Sequence, residues 1–356
     1  MNWPPKHCFP YTIREGSHAT RALAFDLGGT HLRAAILSES GALRHLKKHR
    51  IRSVADGLGE TEIWRGVIGS MVDYEYETRH LLQSLDPIVV AFPGPVTGHQ
   101  HILQAPTVAG KSTNVRNLPA ELERLTGRRV YLLNDVSAAA WYFGAISDAN
   151  RFLVVTVSSG IGSKMFDRLH PARVLDEPAY AGEIGHVVVD DRPDAMLCDC
   201  GTRGHLGAIA SGRGIERTAR ISAMRSPAKF ANSLVRTALN GSAEDLSNED
   251  HIVPAALAGD RWALGVIREC TRPLARTLLF SIMAAGLERV FVIGGFAQSM
   301  GQLYLEILRD LMNETSRYSV MGDALLSMVQ IVNSGEEVCL TGCGVFLSQA
   351  TMGVPL

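Results

Sequence analysis

The chain has 356 residues, 46% hydrophobic and 20% charged, which suits a globular protein of two domains with a sizeable core. A formal net charge of -1 gives no bulk field to hold a nucleic acid or a membrane surface, and no apolar run reaches the roughly 18 residues of a spanning helix. Neither kind of partner is expected.

The opening residues, Met-Asn-Trp-Pro-Pro-Lys-His-Cys-Phe-Pro, lack the charged-then-apolar order of a signal peptide and read as part of a loose tail over 1–20. Residues 22–27 are apolar except for Asp26, Gly28 and Gly29 break the run, and 32–37 resume it. This predicts a strand, a tight turn and a second strand. The glycines permit backbone angles closed to other residues, and successive N–H groups in such a turn can cradle an anion. Asp26 could then hold a hydrated cation beside that anion. An ordinary hairpin with a solvated Asp is the alternative on these residues alone.

Further on, 41–52 reads as a strand with a basic exposed face. Ile63, Val67, Ile68, Met71, Leu81, Leu82 and Leu85 recur near helical spacing and predict a helix over 60–85. A buried strand over 86–96 is stopped by Pro93-Gly94-Pro95. A short helix follows at 118–125, then a strand at 130–133 running into Asn134-Asp135, and an Ala-rich helix at 136–143. The pattern then restarts, with a strand at 151–157, a glycine turn at 158–162 and a strand at 163–166. That restart suggests an internal duplication of one α/β unit. Helical patterns occupy 207–221, 227–239, 251–257, 260–285 and 300–312. Strands are predicted at 290–293, before Gly294-Gly295, and at 329–332, and a glycine-opened helix at 340–350.

Alternating strands and helices predict sheets covered by helices, and two hairpin-led halves predict two α/β domains facing one cleft. Ligands in open α/β sheets bind at the carboxyl ends of strands. The polar turns at 26–29, 93–95, 134–135, 158–162 and 294–295 all follow strands. The expected division is a tail at 1–20, a small domain at 21–137 and a large domain at 138–356, with the last helix a candidate to pack back on the small domain. Six cysteines include Cys198 and Cys200, too close for an unstrained disulfide, which points to a metal and a reducing cytoplasm.

In order, the segments Asp26-Leu-Gly-Gly-Thr-His-Leu-Arg33, Phe92-Pro-Gly-Pro95, Asn134-Asp-Val-Ser-Ala-Ala139, Ser158-Ser-Gly-Ile-Gly162, Gly182-Glu-Ile-Gly-His186, Cys198-Asp-Cys-Gly-Thr-Arg-Gly-His205, Ser211-Gly212 and Val292-Ile-Gly-Gly295 form a recognisable set. It resembles the ROK family of sugar kinases and related repressors, within the actin-like sugar kinase superfamily, from Ala22 to near the C-terminus. The resemblance implies two ribonuclease-H-like (actin-like ATPase) α/β domains flanking a cleft. It implies transfer from ATP, with Mg²⁺, to an exocyclic primary hydroxyl of a six-membered polyol ring. A structural Zn²⁺ and a homodimer follow by the same analogy.

By the same resemblance Asp135 is the catalytic base, taking the proton of the attacking hydroxyl, although Asn134 and Asp135 are also good helix caps. Asn134, Glu183 and His186 are implied to bind the acceptor. Asp26, Gly28, Gly29 and Thr30 look like the first phosphate loop, with Asp26 holding Mg²⁺ through water. Ser158, Ser159, Gly160 and Gly162 look like the second, and Gly294 and Gly295 would border the adenosine. His186, Cys198, Cys200 and His205 make a tetrahedral Zn²⁺ set, His205 standing where the family has a third cysteine. Lys164, just past the second loop, reads as a solvated strand lysine, with a point charge near the nucleotide as the alternative.

Two departures bear on the substrate. Gly207 stands where the pattern Cys-Gly-x-x-Gly-Cys-x-Glu ends in a carboxylate, and Thr107 stands where many relatives carry Asn. In hexose-phosphorylating relatives that Glu reaches the anomeric hydroxyl, and removing an acceptor changes substrate choice. A small branch, from aminocyclitol antibiotic pathways, phosphorylates C7-cyclitols such as valienone or validone, which have no anomeric centre. Gly207 and the Gly-Gly-Thr-His-Leu-Arg33 run lean toward that branch. A glucokinase or N-acetylmannosamine kinase is the alternative, and a non-catalytic sugar sensor or repressor a third. About two dozen residues precede Asp26, few for a DNA-binding domain.

Overall fold

The computed structural model describes residues 21–105, 107–110, 117–178, 180–316, 324–332 and 337–351; the expected tail at 1–20 lies outside them. The strands are β1 (Ala22–Leu27), β2 (His31–Leu37), β3 (Leu43–Arg50), β4 (Ile88–Phe92), β5 (Val96–Thr97), β6 (His101–Ile102), β7 (Val130–Asn134), β8 (Arg151–Val157), β9 (Ile161–Asp167), β10 (Val174–Leu175), β11 (Arg289–Ile293) and β12 (Val329–Ile331). The helices are α1 (Glu60–Thr78), α2 (Leu118–Thr126), α3 (Asp135–Ile146), α4 (Leu206–Ala210), α5 (Gly212–Arg225), α6 (Pro227–Ala231), α7 (Leu234–Ala238), α8 (Val253–Leu257), α9 (Arg261–Ala285), α10 (Gly295–Met300), α11 (Gln302–Thr315), α12 (Ala324–Met328) and α13 (Val338–Thr351). No helix among the described residues is long and apolar enough to cross a membrane.

Two compact units result: Met1–Asp148 with His170–Ala179 and Gly335–Leu356, and Ala149–Leu169 with Tyr180–Ser334. The boundary expected at 137/138 falls inside α3, all of which belongs to the first unit.

In the first unit the sheet order is β3-β2-β1-β4-β7, with β1, β4 and β7 parallel and the β1–β2 hairpin antiparallel. β1 and β4 are buried along their whole length. One face packs against α1, where Phe25 meets Tyr74 edge-on and Trp64 stacks on Phe92. The predicted helix over 60–85 stops at Thr78 and passes through a short 3₁₀ turn at Arg79–Leu81, so Leu85 ends 90% exposed. Pro87 disfavours helix at the residue before it. The buried Arg128 donates to Glu75, Gln83 and Asp86, tying the end of α1 to the starts of β4 and β7.

The C-terminal helix α13 packs along α3 and against β1, β2 and β4. Its buried Phe346 lies among His99, Tyr131 and Trp141. Contact with α3 is main chain to main chain: a Cβ at Gly342 would stand 1.8 Å from the Ala138 carbonyl oxygen. Gly342→Ala is therefore expected to destabilise the protein by about 1–3 kcal/mol through overpacking; an unchanged denaturation midpoint would contradict this helix pairing.

In the second unit β9, β8, β11 and β12 follow one another, the β8–β9 hairpin antiparallel and β8, β11 and β12 parallel. A hairpin followed by parallel strands repeats the first unit's plan. The predicted helix at 207–221 is two helices, because the Ser211 hydroxyl accepts from Gly214 N and starts α5 afresh. The one at 227–239 is also two, with Ser233 capping α7. The one at 300–312 divides at Gly301 into α10 and α11. The short strands β5, β6 and β10 had no sequence signal.

Candidate functional site

In the first unit Asp26 lies near the end of β1 and Asn134-Asp135 at the end of β7, parallel strands on either side of β4. Asp26 aligns with Ala91, and Phe92 with Asn134. Asp26 is buried, and its cross-strand partner Arg33 donates to Oδ2 at 3.0 Å. The turn after β1 closes when Gly28 N donates to His31 O at 2.8 Å, so the Gly29 and Thr30 amides are not used in closing it. Thr30 Oγ1 lies 2.9 Å from His31 Nδ1. A Cβ at Gly29 would meet Thr107 Cγ2 at 2.8 Å. Thr107 thus borders the turn after β1, a neighbourhood the sequence did not reveal.

Asn134 is the N-cap of α3. Its Oδ1 accepts from Val136 N and Ser137 N, and its Nδ2 donates to Gly94 O at 2.9 Å. Most of its bonding capacity is therefore structural, leaving one amide N–H. Asp135 is the first helical residue, and its Oδ1 accepts from Val136 N at 2.8 Å. Cys339 of α13 donates its S–H to the Asp135 carbonyl at 3.5 Å. Burial, and then the nearby carboxylates of Asp26 and Asp135, push that thiol well above its ordinary pKa, so it stays neutral. Nothing local signals this contact, which depends on α13 returning to α3.

In the second unit three glycine-bearing segments converge on Ser158. Gly212 N donates to Ser158 O at 2.7 Å. Arg213 Nε donates to Ser159 O at 2.9 Å. Gly294, at φ +102, leaves room where a Cβ would stand 2.6 Å from Val157 O, and a Cβ at Gly295 would be 3.7 Å from Ser158 Oγ. Ser158, Ser159, Gly160, Gly162, Gly294 and Gly295 are thus local neighbours, in a place shaped by missing side chains. Ser211-Gly212 joins them.

The same unit gathers His186, Cys198, Cys200 and His205, whose ligand atoms all lie within 4.8 Å of one another. His186 Nδ1 and Cys200 Sγ are each 3.3 Å from His205 Nδ1. Tetrahedral zinc, with nitrogens at about 2.0–2.1 Å and sulfurs at about 2.3 Å, sets ligand-to-ligand edges of about 3.3–3.8 Å, so the donor set fits the ion. The knuckle is tightly wound: Cys198 N donates to Thr202 O, Gly201 N to Cys198 O, and a Cβ at Gly204 would collide with Asp190 O at 1.7 Å. Burial, then His186, lowers the His205 pKa, favouring the neutral imidazole that ligation requires.

Glu183 precedes a 3₁₀ turn, Ile184–His186, that His186 ends. Gly185 within it packs on β9, where a Cβ would stand 2.2 Å from Ile161 O. Gly207 faces the same turn, since its Cβ position is 3.1 Å from Gly185 O. Lys164 differs from its expected solvated state: it is 5% exposed, and Nζ donates to Ala181 O at 2.5 Å. The segment that precedes Glu183 covers it.

Comparison with known proteins matches residues 22–335 to the description "ROK family". The chain is 34% identical to a C(7)-cyclitol 7-kinase of Streptomyces hygroscopicus subsp. limoneus over 345 residues, 93% of this chain and 94% of the relative. It is 28% identical to a glucokinase of Thermotoga maritima over 295 residues, 82% of this chain and 86% of the relative. Its fold is similar to the crystal structure of a ROK family glucokinase from Streptomyces griseus in complex with glucose and AMPPNP, at a TM-score of 0.65 and 24% identity, covering 92% of this chain and 98% of that one.

Proposed function

The chain belongs to the ROK family and is a phosphotransferase with an alcohol group as acceptor, and we propose that its acceptor is the exocyclic primary hydroxyl of a C7-cyclitol. The observation that carries this reading is Gly207. Its Cβ position abuts Gly185 in the turn that holds Glu183 and His186. A carboxylate at 207 would stand beside that turn, and here there is none to read an anomeric hydroxyl. A ring without an anomeric centre loses nothing by its absence. The 34% identity to a C(7)-cyclitol 7-kinase supports the same reading.

Asp135 takes the proton of the acceptor hydroxyl as its oxygen bonds to the γ-phosphorus and the bond to the leaving ADP oxygen breaks. Bound ATP supplies the phosphoryl group, and its Mg²⁺ offsets the charge of the phosphates. Asp26, with Arg33 already on one oxygen, would meet the hydrated ion with its other oxygen. The Gly29 and Thr30 amides and the Ser158–Gly162 turn offer donors to phosphate oxygens. Glu183 accepts from ring hydroxyls. His186, with Nδ1 turned into the zinc set, has Nε2 left to meet another.

A glucokinase is the second reading, favoured by the match to the Thermotoga relative. Coupled ADP-release assays with valienone, validone, glucose and N-acetylmannosamine should give the highest kcat/KM for a cyclitol; glucose turning over best would overturn the proposal. Gly207→Glu restores the carboxylate. It should move the cyclitol-to-glucose preference toward glucose by about 10- to 100-fold, the worth of a hydrogen bond to a charged group.

A further inference from the structure

We propose that Lys164 is a positioning residue for the acceptor-binding turn, acting through a buried tether to the main chain just before Glu183. The inference rests on the acceptor role given above to Glu183.

β9 starts at the Ser158–Gly162 turn and runs beneath the segment 181–186. Three bonds fasten the two. Ser163 N and Ser163 Oγ both donate to Gly182 O, at 3.0 and 2.9 Å, and Lys164 Nζ donates to Ala181 O at 2.5 Å. The approach is close enough that only glycine fits opposite. Gly182 has φ +82, and a Cβ there would lie 1.9 Å from Ser163 O and 3.1 Å from Lys164 Cδ.

The lysine is an expensive way to fill this space. Its residue is 5% exposed, and among the described residues no carboxylate pairs with its ammonium. Burying an unpaired charge is costly, and an alkyl side chain would fill the volume without that cost. What the ammonium adds is a charge-assisted bond to one carbonyl, stronger than a neutral donor could make. That carbonyl belongs to Ala181, two residues before Glu183. Across the hairpin Lys164 pairs with Val154 in the middle of β8, so the tether is anchored on a rigid strand. Preorganised neighbours of this kind decide how well a binding group is aimed.

The test compares Lys164→Met, Lys164→Arg, Glu183→Gln and the double variant Lys164→Met/Glu183→Gln. KM for ATP and for the acceptor, and Tm, are measured with whichever of validone, glucose and N-acetylmannosamine is turned over fastest. Lys164→Met is expected to raise the acceptor KM about tenfold, the loss of one charge-assisted bond, with the ATP KM within about twofold. Lys164→Arg should recover most of the loss. Because the lysine acts through Glu183, the double variant should be no worse than Glu183→Gln. Lys164→Met with an unmoved acceptor KM, while Glu183→Gln is impaired, overturns this proposal alone. Equal rises in both KM values, or effects that simply add, also overturn it, since they describe general loosening or an independent contact. An unmoved acceptor KM in Glu183→Gln overturns the Glu183 reading itself. Should Lys164→Met fail to fold, Lys164→Arg and a Lys164→Gln variant carry the same comparison.

Discussion

Asp135→Asn will lower kcat by about 10²- to 10⁴-fold, the usual contribution of a positioned general base, and will leave a folded protein. Capping and proton transfer need not fall on the same residue of Asn134-Asp135. Capping of α3 is done by Asn134, whose Oδ1 takes both the Val136 and Ser137 amides. Asn at 135 keeps the shape and a first-turn acceptor. It loses only a favourable charge at a helix N-terminus, worth about 0.3–1 kcal/mol. The activity loss therefore reports the carboxylate and not the helix. Steady-state kinetics beside a melting curve make the check. Undiminished kcat in a folded Asp135→Asn enzyme would remove Asp135 as the base. Asn134→Ala should lose about 1 kcal/mol of cap stability together with the bond to Gly94 O.

Stripping metal from the second unit will lower both stability and acceptor affinity. Purified protein should carry about one zinc per chain, because four protein ligands close the site. If free metal stands about 1,000-fold above its Kd, its loss removes about 4 kcal/mol. That corresponds to a fall in Tm of roughly 8–16 °C for a domain of this size. Cys198→Ser and Cys200→Ser should reproduce much of the fall. On the proposed reading His186 would connect stability to function, since its Nδ1 lies 3.3 Å from that of His205 and it ends the turn that Glu183 begins. Chelation should therefore raise the acceptor KM more than the ATP KM. Protein free of zinc with unchanged Tm and KM would contradict the metal assignment.

Much of the fold was legible in the sequence because glycine and proline punctuate it. The turns at 28–29 and 158–162 mark both hairpins, and Pro93-Gly94-Pro95 marks the end of β4. Helix boundaries were less legible. Ser211 interrupts a helical pattern without breaking its periodicity. The Ser211 cap that restarts the chain as α5 is joined by a tertiary bond, the donation of Gly212 N to Ser158 O, and that bond no local rule predicts. Leu85 fitted the helical spacing and is exposed, because the helix has already ended at Thr78.

The candidate site divides in the same way. Turns with special backbone angles, such as Gly182 and Gly294, stand out in the sequence as glycines. Contacts made by distant elements do not, as Cys339 against Asp135 and Gly207 against Gly185 illustrate. Lysine is ordinarily exposed, so the sequence offered no reason to bury Lys164; the covering segment at 181–182 supplies it. Arg33 against Asp26 was accessible in principle, since a turn closing between Gly28 and His31 places the two directly across the hairpin.

The most direct test of the central claim is the product itself. Proton-coupled phosphorus NMR of a reaction containing the enzyme, Mg²⁺-ATP and validone should show ADP and one new phosphomonoester whose phosphorus couples to two methylene protons, as phosphate on the exocyclic carbon requires. Phosphate on a ring carbon, coupled to a single proton, or ATP left unspent with validone while glucose is phosphorylated, would contradict it.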